Sequence, residues 1–208
     1  MKKFIKHTLG IMAALLVLAG CSDNSTPKEG VQYQALPVNL ATYRLAPVTE
    51  VFSLTCGHCR SMEDVIPELE KMVGQQFGRV HVTFNQGAQI GAMFFYSAVM
   101  QLGHNPDYDM MQELFAAVQM AEGSTLTDQK NAIDKAFQDR NLISPYEFDE
   151  AQQKQLFVLM KTADEISQKG QINSVPTFVV NGKYMVLTAG HENAEGIGKT
   201  ISYLLTQP

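Results

Sequence analysis

Apolar positions along the chain alternate in two separated regions and recur at helical spacing between them. Val48-Thr49-Glu50-Val51-Phe52-Ser53-Leu54 alternates and is rich in strand-forming residues. Met62, Val65, Ile66, Leu69, Met72 and Val73 follow at helical spacing, and Pro67 within that run predicts a kink or an interruption. Arg79 to Phe84 reads as a second strand. From about Gln86 to Gly170 the pattern is helical. Ile90 to Leu102 is densely apolar, Asn105-Pro106-Asp107 breaks it, and Asp109 to Ala121 carries Leu114, Val118 and Met120 before Gly123. Thr127 is expected to cap a helix bearing Ile133, Ala136, Phe137 and Arg140. Ser144-Pro145-Tyr146-Glu147 offers an N-cap, a first-turn proline and a capping-box acid for a long helix ending at Lys169, with Gly170 as its stop. Strand character returns in Phe178-Val179-Val180 and Tyr184-Met185-Val186-Leu187, joined through Asn181-Gly182, a strong hairpin signal. The pattern predicts an α/β unit interrupted by a long helical segment.

Composition narrows the class. A chain of 208 residues, 45% hydrophobic and 18% charged, fits one domain or one domain with an insertion, not a disordered, collagen-like or disulfide-dense scaffold. With 16 basic and 21 acidic residues the net charge is −5, which speaks against an electrostatic nucleic-acid binder. No phosphate loop, Ser–His–Asp arrangement or repeat is visible. The cysteines are Cys21, Cys56 and Cys59, and their odd number asks for an explanation.

The N-terminus supplies one. Lys2, Lys3 and Lys6 precede an apolar run from Ile11 to Leu18 and then Ala19-Gly20-Cys21, the layout of a secretory signal peptide over residues 1–20. Leu9 to Ala19 falls short of the ~20 residues that cross a bilayer. Leu18-Ala19-Gly20-Cys21 resembles the bacterial lipobox, which implies lipidation of Cys21 and stable anchoring by more than one acyl chain. Loss of three lysines and no acid leaves 13 basic against 21 acidic residues, a mature charge of −8. Residues 21–29 read as a polar tether. The expected location is the cell envelope, lipid-anchored and facing the periplasm. Ser22 favours the outer membrane over the inner by resemblance to sorting in enteric bacteria.

The remaining pair, in Cys56-Gly57-His58-Cys59, lies at a strand-to-helix junction. Unpaired N–H groups and the helix dipole there favour a thiolate on Cys56. At the reference pKa of ~8.5 only about 3% of a thiol is ionised at pH 7, whereas one tuned to ~5 is almost fully ionised. A stabilised thiolate stabilises the reduced form and makes the disulfide a stronger oxidant. His58, when protonated, adds a second favourable interaction. A closed zinc site, the competing use of such a pair, needs four ligands. There is no second cysteine pair, and His58, His81, His104 and His191 are scattered. No metal is therefore expected. Glu50, on an otherwise apolar strand, reads equally as a buried acid facing inward with Val48, Phe52 and Leu54 or as a solvated strand-end carboxylate. Arg79 and Glu63 read as ordinary surface charges. Val175-Pro176 offers a bond at which cis costs only ~0.5–1 kcal/mol, against an ordinary trans proline opening a strand.

These motifs together resemble the DsbA family of periplasmic thiol–disulfide oxidoreductases, from about Gly30 to Leu205. Gly30 to Tyr33 resembles the family's opening strand, Glu50 to Cys56 its central strand, and Ser174 to Tyr184 its cis-proline loop and terminal hairpin. The resemblance implies a thioredoxin-like α/β fold with an inserted helical domain, the former from 30–86 and 171–208 and the latter from 87–170. It implies Cys56 and Cys59 as the redox pair, aided by His58 and a buried Glu50, with Val175 and Pro176 presenting backbone to an incoming peptide. It further implies no dissociable cofactor, reduced exported proteins as substrates, a DsbB-like quinone-linked membrane partner and a monomer. Gly57 departs from the proline usual in enteric DsbA and gives the pair used by eukaryotic protein disulfide isomerases. Two alternatives stay open: a reductase or isomerase on the same fold, and a lipoprotein binding or assembly module whose redox pair is incidental.

Overall fold

The computed structural model describes residues 26–208; the expected signal peptide and the lipidation at Cys21 lie outside the described residues. The elements are β1 (Tyr33–Ala35), β2 (Val48–Phe52), α1 (Gly57–Glu63), α2 (Ile66–Val73), β3 (Gly78–His81), α3 (Gln86–Leu102), α4 (Tyr108–Val118), α5 (Leu126–Gln138), α6 (Glu150–Lys169), β4 (Thr177–Val180), β5 (Tyr184–Val186) and α7 (Ala194–Leu205). Five strands form one sheet in the order β1-β5-β4-β2-β3, in which only β2 and β3 pair in parallel. This is the thioredoxin-like arrangement expected from the sequence, with α3 to α6 inserted between β3 and β4.

All five residues of β2 are buried, because the sheet is covered on both faces. Alternation along β4 divides the core. Val179 joins Val51, Phe52 and the aromatic residues of α3 and α4, whereas Phe178 and Val180 join Ile66, Leu69, Ile197 and Leu204 from α2 and α7. Aromatic residues dominate the first cluster: Phe52 meets Phe95 edge-on with ring centroids 5.0 Å apart. The helical insertion is thus packed onto the sheet immediately beside the end of β2.

Several boundaries differ from the sequence expectation. Gly30 to Gln32 is a turn, not strand, because Gly30 takes φ +78° and the Lys28 carbonyl accepts the Gln32 N–H at 2.9 Å. β2 stops at Phe52, since the Leu54 N–H is taken by a side chain instead of a strand partner. β3 likewise stops at His81, short of Phe84. Pro67 does interrupt the helical run, standing in the first turn of α2 after α1 ends at Glu63. Thr125, not Thr127, caps α5, in a capping box with Asp128. Pro145–Glu147 is a single 3-10 turn; Phe148 is extended, and α6 starts afresh behind its own capping box of Asp149 and Gln152. The Asn181-Gly182 turn forms as expected, with φ +52° and +64°.

Candidate active site

Chain direction changes abruptly after Phe52. Ser53, Leu54 and Thr55 leave the sheet in a turn, with the Cys56 N–H donating to the Ser53 carbonyl at 3.0 Å, and α1 begins at Gly57. Cys56 is the N-cap of this helix. Its Sγ accepts the Cys59 N–H at 3.1 Å, the place an N-cap oxygen usually fills. Cys56 and Cys59 form a disulfide with Cα atoms 5.2 Å apart. The two sulfurs are not equivalent: Cys59 is fully buried, whereas Cys56 is half-buried.

Val175-Pro176 is cis and faces the pair, bringing the Val175 carbonyl oxygen to 3.7 Å from Cys56 Sγ. His58 is exposed. It lines, with Met62, Val65, Val175, Pro176 and Ile197, a mainly apolar cleft of about 530 Å³ beside the cysteines. Five of the residues singled out in the sequence therefore meet in one place: Cys56, His58, Cys59, Val175 and Pro176. Glu50 stands apart, inside the sheet.

Glu50 is 1% exposed, and the reading of Arg79 and Glu63 as surface charges is corrected. The parallel register sets Arg79 directly beside Glu50, and Arg79 Nη1 reaches Glu50 Oε2 at 3.2 Å. Arg79 also grips Glu63 with both terminal nitrogens, Nη2 donating to Oε1 at 2.8 Å. Glu63 is 1% exposed because it lies one helical turn after the buried Cys59 on α1. That i, i+4 spacing could have revealed it in the sequence. Burial pushes the Glu50 carboxyl up to about 7; Arg79 holds it down, and the neighbouring Glu63 and Glu70 raise it again. Arg79 is held firmly protonated: burial disfavours its charge, but Glu50 and Glu63 outweigh that effect.

Two further residues went unrecognised in the sequence. His81, fully buried, accepts the Leu54 N–H on Nε2 at 2.8 Å while Nδ1–H donates to the Val82 carbonyl at 2.7 Å. Burial pushes its pKa down to about 3, so the ring stays neutral and keeps the acceptor that Leu54 needs. Gln119, just past the end of α4, donates from Nε2 to the carbonyls of Leu54 and Cys56 at 2.8 and 3.1 Å. Neither carried a local motif. Among the described residues, no group of three or more His, Cys, Asp or Glu is placed to hold a metal ion. None of the described helices is long and apolar enough to cross a membrane.

Known proteins agree with this geometry. The thioredoxin family, by its description "Thioredoxin", matches residues 45–202. The chain is 26% identical over 212 residues to the thiol:disulfide interchange protein DsbA of Pseudomonas aeruginosa, covering 99% of this chain and 96% of that one. It is 25% identical over 170 residues to the DsbA of Bordetella parapertussis, covering 77% and 75%. In three dimensions it resembles the disulfide oxidoreductase DsbA of Proteus mirabilis with a TM-score of 0.61 at 22% identity, over 86% of this chain and 95% of that chain. The oxidoreductase NmDsbA1 of Neisseria meningitidis gives 0.63 at 23% identity, over 86% and 92%. The chain belongs to the thioredoxin family and is a thiol–disulfide oxidoreductase of the DsbA-like kind.

Proposed function

We propose that the chain is a dithiol oxidase that introduces disulfides into exported polypeptides, working at the periplasmic face of the cell envelope from a lipid anchor on Cys21. The single observation that carries the reading is the half-buried Cys56 sulfur beside the Val175 carbonyl and an apolar cleft, with its fully buried partner Cys59 behind it. A substrate thiolate attacks Cys56 Sγ, the Cys56–Cys59 bond breaks, and Cys59 leaves with the electron pair and takes up a proton. The substrate's second thiol, deprotonated, then attacks its own sulfur in the mixed disulfide and expels Cys56 as a thiolate. Two electrons pass from the substrate to the enzyme. Of the two protons the substrate thiols give up, one is balanced by uptake at Cys59 and the other is released to solvent, because Cys56 leaves as a thiolate.

Val175 offers its backbone to the incoming peptide as a strand partner would. His58, at the cleft mouth, stabilises the departing Cys56 thiolate when protonated. Glu50, with its pKa near 7, is the buried acid suited to protonating Cys59. Reoxidation returns the two electrons to a quinone-linked membrane partner like that of the DsbA proteins, and the chain acts as a monomer.

Two measurements test this. Cys59→Ser should accumulate mixed disulfides between Cys56 and exported polypeptides, visible on non-reducing gels and lost on reduction; their absence counts against the mechanism. Thiol trapping of the wild type in intact cells should find the pair oxidised at steady state. A reduced pair would assign the reductase direction instead.

A further inference from the structure

The segment Leu54-Thr55-Cys56 carries the reacting sulfur from β2 to the head of α1, and its polar backbone has left the sheet. Two side chains from opposite sides take over. His81, from the end of β3, binds the Leu54 N–H. Gln119 reaches across from the helical insertion, 65 residues from Leu54 and 63 from Cys56 in sequence, and binds both of their carbonyls. One amide nitrogen carries two hydrogens, so a single group serves both acceptors. The Cys56 carbonyl also accepts the Arg60 N–H at 3.2 Å, the first helical bond of α1. Gln119 therefore fixes the peptide unit from which that helix starts.

We propose that Gln119 is a positioning residue of the redox centre, which holds the Cys56 main chain so that the Cys59 N–H stays aimed at the Cys56 sulfur. Helix-terminal N–H groups stabilise an anion only while they point at it. A Cys56 carbonyl free to swing carries Sγ away from the 3.1 Å contact with the Cys59 N–H. Gln119 bonds main-chain carbonyls, not sulfur; it acts through Cys56. Because Gln119 belongs to the insertion, the reactivity of the pair is tied to how that insertion sits on the sheet. The inference rests on the thiol–disulfide reading only in taking Cys56 as the reacting sulfur.

Gln119→Met keeps the length of the side chain and removes both donors. In the reduced protein, the Cys56 thiolate is titrated by its ultraviolet absorbance, and the Cys56–Cys59 pair is equilibrated with glutathione. The thiolate midpoint should rise by about 0.3 to 1, and the equilibrium should shift about two- to tenfold toward the disulfide, the loss expected for one hydrogen-bonded support. Gln119→Asn keeps the amide but is one methylene too short to reach both carbonyls, and should shift both quantities in the same direction. It also supplies the reading if the Met variant does not fold. A lowered melting temperature with an unchanged midpoint and an unchanged equilibrium constant would show a merely structural role and overturn the proposal. Disulfide exchange by the wild type with a reduced peptide is measured alongside. Its absence would sink the functional reading, while the effect of Gln119 on Cys56 ionisation stays readable.

Discussion

Replacing Glu50 by Gln should stabilise the oxidised protein, and the gain should grow with pH. Glu50 is 1% exposed, and its carboxyl is raised from 4.5 to about 7, chiefly by burial. Between those values the folded state holds a proton that the unfolded state has released, so stability falls as pH rises. At about 1.4 kcal/mol per pH unit, the rise from 4.5 to about 7 amounts to roughly 3 kcal/mol, lost in full above pH 7. Gln resembles the protonated acid in shape and donors, and it does not titrate. Arg79 is not stranded by the change, because both its terminal nitrogens remain on Glu63. Urea denaturation of both proteins from pH 4 to pH 8.5 measures the difference, in which every other titrating group cancels. The gap should be small near pH 4 and reach roughly 3 kcal/mol near pH 8. A difference that does not vary with pH would refute the assignment of a raised pKa to this carboxyl.

Arg79→Met should be costly in the opposite sense. It leaves Glu50 and Glu63 buried without a cation, a loss of about 3–5 kcal/mol at pH 8 by urea denaturation, shrinking toward pH 4 as Glu50 takes up its proton. His81→Leu should cost about 1–3 kcal/mol at pH 7, because the buried Leu54 N–H loses its acceptor. Its cost should narrow as pH falls below 6.5. The folded histidine stays neutral down to about 3 while the unfolded one binds a proton, so the wild type alone loses stability over that interval. The same denaturation series reads both variants, and a His81→Leu penalty that grows on acidification would contradict the neutral ring.

What could be read from the sequence was local. The cysteine pair, Val175-Pro176, the Asn181-Gly182 hairpin and the break at Pro67 are each set by adjacent residues, and each stands where the pattern put it. One of the two misplaced helix starts was also written locally: Thr125 has Asp128 three residues on, the capping-box spacing, whereas Thr127 is followed at that distance by Lys130. The other was not, since Ser144 with Glu147 and Asp149 with Gln152 share that spacing. The polar support of the site lay beyond such reading. Arg79 meets Glu50 across 29 positions through a parallel register, and His81 meets Leu54 across 27. Gln119 arrives only because α4 docks beside α1. A charged or amide side chain destined for the interior looks in sequence like any solvated one until its partner's position is known.

The two sulfurs of the disulfide differ in what surrounds them, and that difference gives the proposed cycle its direction of attack. A substrate thiolate can approach Cys56, since Cys59 is sealed from solvent. In the disulfide form Cys56 sits at the head of α1 with the Cys59 N–H 3.1 Å from its sulfur, a position that suits the thiolate formed when the bond breaks. Cys59 is buried among apolar side chains, where a thiolate is disfavoured and a proton is needed. In the proposed cycle Glu50 is the acid assigned to supply that proton: it lies inside the sheet with its pKa near 7, raised by burial and partly countered by Arg79. An acid left at its ordinary value would already have lost the proton, and one buried without Arg79 would hold it too tightly. The Arg79 ion pair therefore tunes the carboxyl and does not simply neutralise it.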